Sequence, residues 1–507
     1  MEGEFVYETA TYPEEEYAFK HALTEEVAYR SQLARHRART HVAVAAVLAE
    51  LDADKLDERA SLIARHHELG GELLEAARWN ARAAAWAGIS QPVEATRRWR
   101  RVRALTDQLE PTPETVDLGI NARLQLLGCH WRLGAASEEG SIPYEDEAAQ
   151  IFAEAEALAE TAGDAGIRAF ILTAYAGVQI LTEAVVEGFE RTVEATRLAD
   201  ETGDPALRTV PRILLDWGLF VLGRIREATD VTREMEAIIG EDRSIGREVL
   251  IVSPYAYCRM HMAQFGTHFG RLDDGLVALE RSAELAAEEG DFESEAWAHR
   301  HWAIFADWAG ADPDAAAAHA LLGLQWADEA GGAWSRIYVR EGVATSHAQR
   351  GEWAEAIAVV DEALAMARDR RIALANVPLL LSIRARALTS QGDLAGARSC
   401  AEEAIETAVR VGTRFYEAQA RHQLGRALLP AGEAAAARAE LEQALSIVET
   451  FGLSAYAPQI HVELGSAARA SGDEDGFDRE LRAAHRLFLQ AGAPARADEV
   501  MSLVTSF

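Results

Sequence analysis

The strongest constraint on this 507-residue chain is a glycine that keeps returning. Gly270, Gly310, Gly351, Gly392, Gly432 and Gly472 stand 40, 41, 41, 40 and 40 residues apart, each between two apolar patterns of helical period. A second series, Gly290, Gly331, Gly412, Gly452 and Gly492, ends the helix that follows, with Arg371 holding the remaining slot. Each unit therefore reads as two helices, both stopped by a residue suited to left-handed backbone geometry. One helical pair cannot bury its apolar stripe alone, so such units stack on their neighbours.

Side chains keep the same register. Seven residues before each turn glycine lies Ala263, Ala303, Ala344, Ala385, Gly425 or Gly465, a small contact point that lets helices approach closely. Ala356, Ala397 and Ala437 fall five residues after it, and Ala363, Ala404, Ala444 and Ala484 twelve after, on one helical face. The pattern resembles the tetratricopeptide repeat with its unit lengthened from about 34 residues toward about 40. The expected fold is all-α: a tetratricopeptide-like α-solenoid, a right-handed superhelix of hairpins with a concave groove, preceded by a short β-hairpin. Less regular turns near Ala184 and Gly223, and a pair around Gly70 and Gly71, bring the total to about nine or ten helical pairs. An extra segment, AASEEGSIPYED, follows Gly134.

The expected organisation is a β-hairpin plus helix over residues 1–50, Arg-rich helical pairs over 51–110 and the solenoid over 111–507, most regular from 255 to 507. The short strands surround Pro13, at Phe5 to Tyr7 and Tyr17 to Phe19, and a helix begins at His21.

Charge narrows the partners. With 50 basic and 82 acidic residues the formal charge is −32, which repels nucleic-acid backbones and anionic lipid. The span Lys20 to Arg103 differs, carrying fifteen basic residues against eleven acidic ones. Cys129, Cys258 and Cys400 have no neighbour at metal or redox spacing, no apolar run reaches the roughly 18 residues a bilayer demands, and a cytoplasmic location is expected.

The segment YAFKHALTEEVAY (Tyr17 to Tyr29), the Arg-rich stretch with His41 after it and the helical pair ending in AARWNARAAAWA resemble one family. It comprises bacterial multidomain signalling proteins that join a class III adenylate or guanylate cyclase, or another effector, to a STAND-type AAA-like ATPase and a tetratricopeptide array. The resemblance implies that residues 1–50 are the end of a winged-helix-like junction, that the array senses or docks, and that the Arg-rich 20–103 region contacts an upstream ATPase domain. The chain itself offers no phosphate-cradling loop: its two lysines, Lys20 and Lys55, precede His21 and Leu56, where Gly-Lys-Ser/Thr would be required.

No catalytic, cofactor-binding or metal-binding residue is assigned. His66–His67 and His299–Arg300–His301 lack the i,i+4 spacing of helical metal sites, and His261 with His268 reads as packing. The run Arg97 to Arg103 wraps around Trp99 and Val102 and suits an acidic neighbour better than nucleic acid. The binding candidates come from the repeat register. Thirteen residues before the turn glycine, a groove-facing position in tetratricopeptide arrays, lie Tyr257, Trp297 and Tyr338, with Met260, Arg300, Trp308, Arg386 and Arg426 nearby. The same aromatics would serve equally to plug gaps between Ala-rich helices. The expected function is a non-catalytic sensor or docking region for a protein, a peptide or a small effector. The alternatives are a free-standing scaffold, or a non-catalytic part of an adenylate cyclase whose active domain lies elsewhere.

Overall fold

A computed structural model describes residues 6–10, 16–51, 55–88, 91–134, 144–247 and 252–505, arranged as two compact units, Met1–Leu126 and Leu127–Phe507. Most of the segment AASEEGSIPYED falls outside the described residues.

In the first unit, β1 (Val6–Ala10) pairs antiparallel with β2 (Glu16–Phe19), Val6 opposite Phe19 and Glu8 opposite Tyr17. The single helix expected from His21 is instead two, α1 (Ala22–Ser31) and α2 (Ala34–Leu51), because the backbone at Gln32 is extended (φ −72°, ψ 146°). Then come α3 (Leu56–Gly70), α4 (Leu73–Ala87) and α5 (Pro92–Thr106), each packed on the one before it around Ile63, Ala76, Ala83, Trp99 and Val102. Residues of α6 (Pro113–Leu133) fall in both units.

The second unit continues with α7 (Tyr144–Ala162) and eight helical pairs. These are α8 (Ala165–Ile180) with α9 (Val185–Thr202), α10 (Pro205–Val221) with α11 (Ile225–Ile239), α12 (Pro254–Phe269) with α13 (Leu272–Glu289) and α14 (Phe292–Ala309) with α15 (Pro313–Ala330). The remainder are α16 (Ala333–Gln349) with α17 (Trp353–Arg370), α18 (Val377–Gln391) with α19 (Leu394–Val411), α20 (Arg414–Leu428) with α21 (Ala434–Phe451) and α22 (Ala457–Ala470) with α23 (Glu474–Gln490), followed by α24 (Pro494–Thr505). Along most of the array the first helix of a pair packs on the first helix of the next, as α8 on α10, α14 on α16 and α18 on α20, which makes this unit an α-solenoid of the tetratricopeptide kind.

Local chemistry explains the punctuation. Asp393 and Asp473, one residue past the turn glycine, accept bonds from Gly396 N at 2.9 Å and Gly476 N at 2.8 Å and so cap the second helix of their pairs. Five turn glycines, Gly310 to Gly472, are left-handed with φ from +67° to +85°, but Gly270 is not. Its φ of −115° departs from the expected geometry, and glycine is needed there because a Cβ would lie 2.9 Å from the Gly266 carbonyl oxygen. Arg371 does adopt the left-handed cap, at φ +49°. At the small contact position, a Cβ on Gly425 would sit 2.6 Å from Leu441 Cγ.

The second unit is wound until one coil touches the next. Leu374 N donates to Leu181 O at 3.1 Å, and Ala455 N to His268 O at 3.2 Å. Leu272 N donates to Ala491 O at 2.6 Å, and Arg496 to Asp307 O at 2.7 Å. A single apolar core consequently runs from Ile180 to Val500. These contacts draw successive coils together around a shared axis.

Candidate binding cavity on the axis of the solenoid

Positions thirteen, ten, nine and six residues before the turn glycine point at this axis, and their side chains differ between its two halves. In the front half, position thirteen holds Tyr257, Trp297 and Tyr338, all buried. The Tyr257 hydroxyl, with one proton to donate, lies 2.8 Å from Asp216 Oδ1 and 2.9 Å from Ile213 O, and burial together with Asp216 pushes its ionisation far up. Trp297 donates to Ser335 Oγ at 3.0 Å and meets Trp334 edge-on, ring centres 5.0 Å apart. Tyr338 stacks on Trp334 and carries the Arg300 guanidinium 3.8 Å from its ring centre. Met260 is buried in the same core.

In the rear half the same position holds Leu379, Gln419 and Gln459, and a cavity of about 480 Å³ opens beside them. Position ten adds Ser382, His422 and Val462, position nine Ile383, Gln423 and Glu463, and position six lines it from both halves, with Gln264, Ile304 and Thr345 on the front helices and Arg386 and Arg426 on the rear ones. Phe305, Trp308, Phe415 and Tyr456 form an aromatic wall, with Trp308 and Tyr456 5.0 Å apart. Arg496, Glu499 and Leu503 of α24 complete the lining. The volume lies within the range of about 300–1,000 Å³ typical of small-ligand sites.

Charges around the cavity are matched in pairs. Arg386 holds Asp307 with two bonds, at 2.6 and 3.0 Å. Burial raises the Asp307 carboxyl, but Arg386, Arg496 and Arg426 more than offset this and hold it below the ordinary range. Arg300 is bound to Glu341, Arg426 lies 3.0 Å from Glu463, and Arg496 lies 2.8 Å from Glu499. The histidines are kept neutral: burial, aided by Arg300, drives His268 down to about 3, and burial drives His301 and His422 well below their usual value. Several buried polar atoms of the lining residues have no protein partner, namely both ends of the Gln264 amide, His268 Nδ1, Arg386 Nε, Gln419 Oε1, His422 Nε2 and Gln459 Nε2.

Of the eight residues singled out by sequence, Arg300, Trp308, Arg386 and Arg426 line the cavity. Tyr257, Met260, Trp297 and Tyr338 belong to the filled front of the axis instead. Gln264, Gln419, His422 and Gln459 were not singled out, although the glycine register marks their positions; only their modest side chains distinguish them from the aromatics in front.

The remaining candidates are accounted for by local partners. His41 and His66 meet at 2.9 Å, as do His299 and His319, and His261 bonds Asp216 at 3.0 Å. Within the arginine run, Arg97 and Arg98 reach Glu94, and Arg101 grips Glu68. Among the described residues no helix is long and apolar enough to cross a membrane.

No protein-family model matches the chain, and no curated protein matches it. Some solved structures are similar to it. BtubC (BKLC) from P. vanneervenii is 19% identical over 43% of this chain and 90% of its own, with a TM-score of 0.33. A Rap protein complexed with competence and sporulation factor is 10% identical over 85% of this chain and 99% of its own, TM-score 0.40. Yeast Tom70 is 12% identical over 92% of this chain and 96% of its own, TM-score 0.35. Superpositions this loose have no bearing on what the chain binds.

Proposed function

We propose that the chain is a non-catalytic sensor or docking array of a signalling protein, and that the axial cavity is where it recognises a peptide, a protein segment or a small effector. One observation carries this reading: the axis is filled with aromatics in front and left open behind, where buried polar groups lack partners. A core selected for stability alone would close that space or pair those groups, since each unpaired buried group costs about 1–3 kcal/mol. The cavity touches α12, α14, α18, α20, α22 and α24 together, so an occupant would bridge successive coils of the array. The setting beside a cyclase–ATPase regulator rests on the sequence resemblance of the N-terminal hundred or so residues, and the cytoplasmic location on the three isolated cysteines.

The test fills the cavity. Leu379→Trp places an aromatic at the register position that is aromatic in front. The immobilised wild-type chain is expected to retain a native component that the variant retains at least roughly tenfold less, a change of about 1.4 kcal/mol, with helicity and melting temperature unchanged. Equal retention by the two proteins would remove the cavity from the function.

A further inference from the structure

The recognition reading leaves the chemistry of the occupant open, and the cavity lining constrains it. We infer that the axial cavity takes an uncharged small molecule that both donates and accepts hydrogen bonds and carries a flat or ring-shaped apolar face. This rests on the proposed recognition role and adds the class of ligand.

Charge comes first. Each guanidinium of the lining already faces a carboxylate: Arg386 with Asp307, Arg300 with Glu341, Arg426 with Glu463 and Arg496 with Glu499. A carboxylate or phosphate would meet guanidiniums whose charge is already balanced by a carboxylate, with Asp307 and Glu341 almost wholly buried, so an added anion finds no net positive charge to pair with. A cation meets the converse obstacle. The neutral histidines add no charge of their own.

Unused hydrogen-bonding capacity comes second, and it is mixed. Gln264 borders the cavity and neither end of its amide has a partner, so by turning its side chain toward an occupant it offers both a donor and an acceptor. Gln419 Oε1 adds an acceptor, while Gln459 Nε2 and Arg386 Nε add donors. His422, bonded through Nδ1 to Tyr456 at 2.9 Å, leaves Nε2 to donate or accept according to tautomer. An anion would satisfy only the donors. A neutral amide-bearing or hydroxyl-bearing molecule satisfies both kinds.

Shape comes third. Phe305, Trp308, Phe415 and Tyr456 are locked edge to face, with Phe305 and Trp308 4.9 Å apart and Phe415 and Tyr456 5.7 Å apart, and they offer one side of the ligand an aromatic surface. A volume of about 480 Å³ admits a small molecule and only a few residues of a peptide.

Benzamide and benzoate are near-identical in shape and differ in charge, so equilibrium titration of the full chain with each separates the possibilities. Benzamide is expected to bind, benzoate at least roughly tenfold more weakly, and Gln264→Met to abolish benzamide binding, since a lost buried bond of this kind is worth about tenfold or more. The same variant without ligand is expected to melt a few degrees higher, roughly what about 1 kcal/mol confers on a chain of this size, because an unpartnered amide has been removed. Tighter binding of benzoate would overturn neutrality and leave the recognition role standing. Binding of neither compound at millimolar concentration would overturn the inference, and the recognition role falls too only if Leu379→Trp also leaves retention unchanged. A lower melting temperature for Gln264→Met would show the amide to be structural and overturn the inference as well.

Discussion

The front and rear of the solenoid axis are built from the same backbone positions and end in opposite states. Thirteen residues before the turn glycine, Tyr257, Trp297 and Tyr338 fill the front, whereas Leu379, Gln419 and Gln459 leave the rear open. Periodicity decides which side chains look inward. Side-chain volume and polarity then decide whether the interior becomes core or cavity.

The contrast is broken most severely at the boundary between the halves. Glu341 is wholly buried against Arg300, so Glu341→Ala strands a guanidinium and is expected to cost about 3–5 kcal/mol in chemical denaturation. Glu463→Ala, at the half-buried rear pair with Arg426, is expected to cost about 1 kcal/mol or less. Equal losses would mean that the two pairs share one environment.

Next in size, Trp297→Ala should cost about 3–5 kcal/mol by leaving a void in packed core. Leu379→Ala, beside space that is already open, should cost about 2 kcal/mol or less, at the low end for its type. Thermal melts of the two variants side by side measure the difference.

Acidity probes the lining of the cavity from both halves. His268 is held at about 3 against an ordinary 6.5, so between those values the unfolded chain takes up a proton that the folded chain refuses. Stability is therefore expected to fall as pH drops from 6.5 toward 3, by at most about 1.4 kcal/mol per pH unit from this residue, with His301 and His422 acting in the same direction. His268→Phe should flatten the acid limb of a stability–pH curve. An unchanged limb would show that the imidazole is not buried in its neutral form.

The smallest expected change sharpens the comparison rather than breaking it. Gln419→Phe converts a rear position to the front type, and should alter stability by no more than about 1 kcal/mol while abolishing occupancy of the cavity. A loss of several kcal/mol would mean that the amide is part of the core.

How far the letters led depends on the residue. The glycines and the alanine or glycine contact positions fixed helix pairing, since each meets a steric demand made within one or two pairs, as Gly425 does against Leu441. Coil-to-coil closure was not legible: the bonds of Leu374 to Leu181 and Ala455 to His268 join backbone atoms, which any residue supplies. Because that closure decides which axial side chains are packed over, Tyr257, Trp297 and Tyr338 could be placed on the axis by counting but not assigned to groove or core. Gln419, His422 and Gln459 lie within reach of the same count, but neutral amides and a single imidazole carry none of the signal that aromatic and arginine anchors do. Gly270 carries a further lesson: it keeps the period while its backbone departs from the left-handed turn shared by its five successors.

A stack held only by contacts between adjacent pairs can peel from its ends one hairpin at a time. Here strands of the chain nearly two hundred residues apart are stapled to one another, Asp307 to Arg496 and Leu181 to Leu374, so a fray at the C-terminal end unclasps the middle as well. Pulled or heated, this unit should give way as a block, with slow amide exchange extending over many hairpins in place of a gradient from the tips inward.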